Sequence, residues 1–110
     1  MKNNQIIELI PIFKGKKSHY NRLILEVLTK AGKPLKEWEI AKQIQKIDPK
    51  GKYWYYEAQK IYSLLTRKEG RLEELHKKGY IEWKRNECKI TGKGVIASLI
   101  ANPKLKPRVI

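Results

Sequence analysis

Three side chains in this sequence are of the types that bind metals or act as nucleophiles: His19, His76 and Cys88. They lie far apart in the chain and lack the paired spacing in which zinc ligands are grouped. Those residue types in that pattern suit structural or surface roles. A single cysteine rules out an internal disulfide and suits a reducing, cytoplasmic setting. Cys88 alternates with Ile90, as a small core residue in a strand would; redox sensing is the other chemistry open to it. The acidic residues are scattered among lysines and form no carboxylate pair, and no glycine-rich loop stands between a strand and a helix to cradle a phosphate. Neither catalysis nor a metal or cofactor is expected.

The chemistry the side chains do offer is hydrogen bonding and positive charge. Wound at the helical period, residues 55–78 separate into two unlike stripes. Ala58, Ile61, Leu65, Leu72 and Leu75 fall on one side, with Tyr62 and Leu64 at its margins. Nearly opposite lie Tyr56, Gln59, Lys60, Ser63, Arg67, Gly70 and Glu74, with Arg71 beside them. A polar stripe is often only a solvated face. In this one the early and middle turns carry Lys60, Arg67, Lys68 and Arg71 against Glu57 and Glu69, while Glu73 and Glu74 come later. Tyr, Gln, Lys, Ser and Arg are side chains that hydrogen-bond base edges and phosphates in a major groove. The candidate contacts are therefore Tyr56, Gln59, Lys60, Ser63, Arg67 and Arg71.

Composition agrees with an anionic partner. The chain has 110 residues, enough for one small domain with one core. Lys and Arg number 25 against 11 Asp and Glu, a formal net charge of +14 with a pI near 9.9. So large an excess opposes compaction and favours a polyanion. No apolar run is long enough to span a membrane, and residues 6–13, interrupted by Glu8 and Pro11, lack the pattern of a signal peptide.

The elements that must position the stripe follow from punctuation and periodicity. Residues 1–17 form an extension whose Ile6, Ile7, Leu9, Ile10, Ile12 and Phe13 are too apolar for a free tail. They are expected to pack on the domain or on a second subunit, with Pro11 breaking any helix there. Residues 18–101 form the domain proper. Ser18 is read as the cap of a helix over 20–31, whose Leu23, Ile24, Val27 and Leu28 face the core and which ends at Gly32. A second helix over 37–47 turns Ile40, Ala41, Ile44 and Ile47 inward and Lys36, Lys42, Gln43 and Lys46 outward. Asp48-Pro49-Lys50-Gly51-Lys52 is turn chemistry. The long helix over 55–78 then stops at Gly79. Strands over 80–85 and 87–91 follow, joined by a tight turn at Arg85-Asn86. Thr91 caps a final helix over 92–101, with Val95, Ile96, Leu99 and Ile100 as its apolar strip. Residues 102–110 are expected to be a mobile basic tail. The class is α+β: mainly α with a small β-hairpin.

Residues 38–44, 71–81 and 90–94 are three segments that together resemble winged helix-turn-helix DNA-binding domains, similar to the MarR- and PadR-like regulators and the small single-domain versions in archaea and their viruses. Trp38-Glu39-Ile40-Ala41-Lys42-Gln43-Ile44 matches the second helix of that pattern. Arg71-Leu72-Glu73-Glu74-Leu75-His76-Lys77-Lys78-Gly79-Tyr80-Ile81 matches its leucine-paired helix end running into the wing. Ile90-Thr91-Gly92-Lys93-Gly94 matches its aliphatic-Thr-x-x-Gly exit from the wing. The chain departs from the pattern in the aromatic run Tyr53-Trp54-Tyr55-Tyr56 and in a very short wing.

The resemblance implies a three-helix core, a wing and a C-terminal helix, with a short first strand at Leu35. It implies double-stranded DNA as partner, transcriptional regulation as function, and the long helix in the major groove. Lys84, Arg85 and Asn86 at the wing tip would meet flanking phosphates or the minor groove. Lys36, Lys42, Lys50 and Lys52 would neutralise backbone charge. A homodimer through residues 6–13 and the final helix would read two half-sites. Two other classes stay open: a non-specific, single-strand or RNA binder, which the diffuse charge and the aromatic run favour, and a protein-interaction module.

Overall fold

The computed structural model describes residues 10–15, 18–48 and 54–105, without the side chains of 54–57. Within these it is a mainly helical α+β fold with one small antiparallel sheet. In chain order come a 3-10 turn at Pro11–Phe13, α1 (Ser18–Ala31), β1 (Leu35–Lys36), α2 (Glu37–Ile47), α3 (Trp54–Thr66), α4 (Arg71–Lys77), β2 (Ile81–Lys84), β3 (Glu87–Ile90) and α5 (Gly92–Ala101). No described helix is long and apolar enough to cross a membrane.

The sheet has the order β1-β3-β2, with Leu35 opposite Cys88 and Trp83 opposite Cys88 on the other edge. Lys84 pairs with Glu87, which leaves Arg85 and Asn86 as a two-residue loop. Both have positive φ, 48° and 69°, the geometry of a type I′ turn whose twist matches the strands it joins. The tight turn expected at these two residues is the one observed.

The expected core stripe is buried throughout: Ala58, Ile61, Leu65, Leu72 and Leu75 join Ile24, Leu28, Ile40, Ala41, Ile44 and Ile81 inside. The helix that carries it is not continuous, however. It ends at Thr66 and restarts at Arg71. Glu69 adopts a φ of 58°, and a Cβ on Gly70 would stand 2.7 Å from the carbonyl oxygens of both Leu64 and Arg67. The chain folds back so closely on the end of α3 that only glycine fits. Arg67 to Gly70 take up about one turn, so the leucines stay on the same side and periodicity alone does not reveal the break.

Beyond α4 the punctuation holds. Tyr80 N–H donates to the Leu75 carbonyl and Gly79 N–H to that of His76, the paired bonds of a Schellman ending. Thr91 accepts from Gly94 N–H as the cap of α5 and donates to the Gly79 carbonyl at 2.7 Å. Lys93 donates to the Lys78 carbonyl and lies over the Tyr80 ring. A Cβ on Gly94 would come within 2.2 Å of the Tyr80 carbonyl oxygen. The two motifs around Gly79 and Gly94 are thus the two sides of one close contact.

Several local expectations need correction. Ser18 is inside α1, not before it, and its hydroxyl donates back to the Gly15 carbonyl. Pro11 begins a 3-10 turn rather than ending structure, because its missing N–H costs nothing at a helix start. Ile12 and Phe13 are buried in the same core as α1, and Asn21 fixes their turn by donating to the Ile12 carbonyl at 2.7 Å. Leu25 is also fully buried, whereas Ile47 is 36% exposed. On α5 the inward face consists of Gly94, Ala97 and Ser98, because small residues let it lie close to its neighbours. Ile96, in the expected apolar strip, is 62% exposed. In the expected tail Leu105 is buried. Residues 6–9, 49–53 and 106–110 lie outside the described residues.

Candidate nucleic-acid interface

The outward face of α3 is polar and exposed. Gln59, Lys60, Ser63 and Arg67 are all exposed, spaced three and four apart so that they form one stripe. The stripe is outward because Ala58, Ile61 and Leu65 are drawn into the core on the other side. Arg67 lies just past the last helical residue, its N–H still bonded to the Ser63 carbonyl. The Tyr56 side chain lies outside the described residues, as do Lys50 and Lys52.

Arg71 does not belong to this stripe. The break at Gly70 puts it at the start of α4, where its side chain is 7% exposed and its guanidinium is paired with Glu74. Glu74 also holds Lys78, and Glu73 holds Lys77. The Glu73 carboxyl sits below the usual carboxylate range, chiefly because it accepts from the Glu69 N–H, with Lys77 adding to the effect. The carboxylates of Glu73 and Glu74 are therefore engaged within α4 and its approach. By contrast, Arg67, Lys36, Lys42, Lys84 and Arg85 are exposed and make no ion pair among the described residues. Cations without local partners are those that can neutralise an external anion.

The hairpin tip supplies the second group: Lys84, Arg85 and Asn86 are exposed together at the type I′ turn. The hairpin is tied to the helices by Glu37, the first residue of α2, which is 6% exposed. Its carboxylate accepts from Trp83 Nε1 at 2.6 Å and, at a longer 3.4 Å, from the Tyr62 hydroxyl of α3. Its N–H donates to the Asn86 carbonyl at 2.9 Å. Trp38 completes the cluster edge-on to the Tyr62 ring, with centroids 5.4 Å apart, and remains 39% exposed. Sequence reasoning missed Glu37. An acidic residue opening a helix is ordinary dipole chemistry, and only the fold shows that it is buried against two aromatic donors.

The residues first considered for metal or nucleophilic chemistry are dispersed. His19 pairs with Asp48 at 3.3 Å, joining the start of α1 to the end of α2. His76 Nδ1 lies 3.3 Å from the Ile81 carbonyl oxygen. Cys88 is fully buried, and burial first, with Glu37 second, pushes its thiol up to about 12. Among the described residues no group of three or more His, Cys, Asp and Glu could hold a metal. No family model, curated protein or solved structure matches this chain.

Proposed function

We propose that this chain is a double-stranded DNA-binding domain of the winged helix-turn-helix type, acting as a transcriptional regulator. Helix α3 enters the major groove and the β2–β3 hairpin serves as a short basic wing on the backbone. The observation that carries this reading is the exposed stripe Gln59, Lys60, Ser63 and Arg67 on a helix whose other side is core. Gln59 and Ser63 can both donate to and accept from base edges, while Arg67 can hold a guanine edge or a phosphate. Lys36, Lys42, Lys84 and Arg85 neutralise backbone charge and fix register without reading sequence. Binding, not turnover, is the activity.

The decisive experiment is selection of binding sites from random duplexes at fixed salt, followed by competition with random DNA. Enrichment of one motif that resists competition supports sequence reading. Retention of all duplexes alike favours a non-specific binder, the reading to which the net charge of +14 also lends itself. Pairing of two copies belongs to the same reading and rests on α5, where Ile96 is exposed beside the partly exposed Val95, Leu99 and Ile100. Ile12 and Phe13 are consumed by the chain's own core and are withdrawn from that contact. Sedimentation of an Ile96→Lys variant tests it: a shift from dimer to monomer is expected, and an unchanged size would refute the contact.

A further inference from the structure

A buried carboxylate with no cation beside it is an expensive group. Glu37 makes no ion pair among the described residues, and its charge is held by the α2 N-terminus and by two neutral donors. Stability alone does not ask for it, since an apolar cluster in place of Glu37 and both its donors would fill the site without desolvating a charge. Its partners share one property: each comes from a different element that carries candidate contacts. Trp83 is on β2, next to Lys84. Tyr62 is on α3, next to Ser63. The Asn86 carbonyl is at the hairpin tip itself.

We propose that Glu37 is a positioning residue that holds the hairpin at a fixed angle to α3. The 2.6 Å bond from Trp83 is charge-assisted and directional, so it fixes where the indole, and with it strand β2, can lie. The backbone bond from Glu37 N–H to Asn86 restrains the far end of the same hairpin. A two-stranded ribbon is only marginally stable alone. Held in this way, Lys84 and Arg85 and the α3 stripe present themselves as one preorganised surface, and binding does not have to order them afresh. The inference rests on the DNA-binding reading for its purpose but not for its geometry.

Three variants test it: Trp83→Phe, which removes the donor and keeps a ring; Glu37→Ala; and Glu37→Gln, whose amide oxygen can still accept from Trp83. The first readout is amide hydrogen exchange without DNA. Trp83→Phe and Glu37→Ala should each speed exchange at residues 84–88 by about tenfold, as loss of one charge-assisted bond implies, while α1 and α5 are unchanged. Glu37→Gln should stay close to the parent. The second readout is duplex affinity. Trp83→Phe should weaken it about fivefold, yet add almost nothing when Lys84 and Arg85 are already alanine, because the pin acts only through them. Unchanged exchange at the tip, faster exchange spread evenly over the domain, or equal losses in both backgrounds would overturn the positioning role. A parent that retains no duplex at low salt while Trp83→Phe loosens the tip would instead sink the DNA reading and leave the pin standing.

Discussion

The Cys88 thiol sits in the middle strand of the sheet, opposite Leu35 on one edge and Trp83 on the other, with a pKa pushed up to about 12. At neutral pH it is a protonated, inert core group, which leaves redox sensing without a thiolate to start from. The shift has a definite consequence for stability. The unfolded thiol ionises near 9 and the folded one does not, so stability is flat below that value and falls as pH rises towards 12. Lysines and tyrosines titrate in the same window, so the comparison to make is with Cys88→Ala. That variant should be about 1 kcal/mol less stable at neutral pH, from the lost packing. The gap should then close at roughly 1.4 kcal/mol per pH unit above 9, making alanine the more stable residue near the top of the range. Denaturant melts at pH 7, 9 and 10.5 read this directly, and parallel curves would show that the thiol is not so shifted. Lys60 and Arg67 pose the matching question on the surface. Lys60→Ala with Arg67→Ala should lower duplex affinity at least about tenfold at constant thermal midpoint; titration with unchanged binding would refute the choice of helix face.

Among the elements, the break between α3 and α4 shows what a sequence discloses and what it conceals. The leucine stripe, Gly79, Arg85-Asn86 and Thr91 were all legible, because each rests on a local rule: periodicity, a helix ending, a turn requiring positive φ, a hydroxyl cap. Gly70 falls in the polar stripe by period, and nothing local there marks the end of a helix. Its role is non-local, since the clash a side chain would meet is with carbonyls three and six residues earlier, after the chain has turned back. The same limit hid the partners of Arg71 and the burial of Glu37, which depend on where an element ends or docks. Gly70→Ala should therefore cost about 1–3 kcal/mol through overpacking, where a glycine in a plain helix would have gained stability from alanine. In a domain of this size each kcal/mol lowers the thermal midpoint by roughly 4–8 °C. A variant as stable as the parent or more so would mean that residues 55–78 do form one helix.

Taken as a whole molecule, the domain carries net charge +14, but its cations are not equivalent. Lys77, Lys78, Lys30 and Arg71 are held by acids of their own helices, while Lys36, Lys42, Arg67, Lys84 and Arg85 have no ion pair among the described residues. Only cations that reach phosphate release counterions from DNA, so the salt dependence of binding counts contacts rather than total charge. If about six phosphates are neutralised, log affinity should fall against log salt with a slope of about −5, far short of what the full excess of 14 would give. Lys84→Ala with Arg85→Ala should make that slope shallower by about 2 and weaken every duplex to a similar degree, because backbone contacts carry no sequence information. Lys77→Ala with Lys78→Ala, which removes as much charge from α4, should leave the slope almost unchanged. Fluorescence titrations of one preferred and one random duplex over a range of salt give both quantities. Equal changes in slope from the two pairs would mean that the domain attracts DNA as a diffuse positive body, with no defined face. A loss confined to the preferred duplex on removing Lys84 and Arg85 would make the hairpin a reader of bases and not a clamp on the backbone.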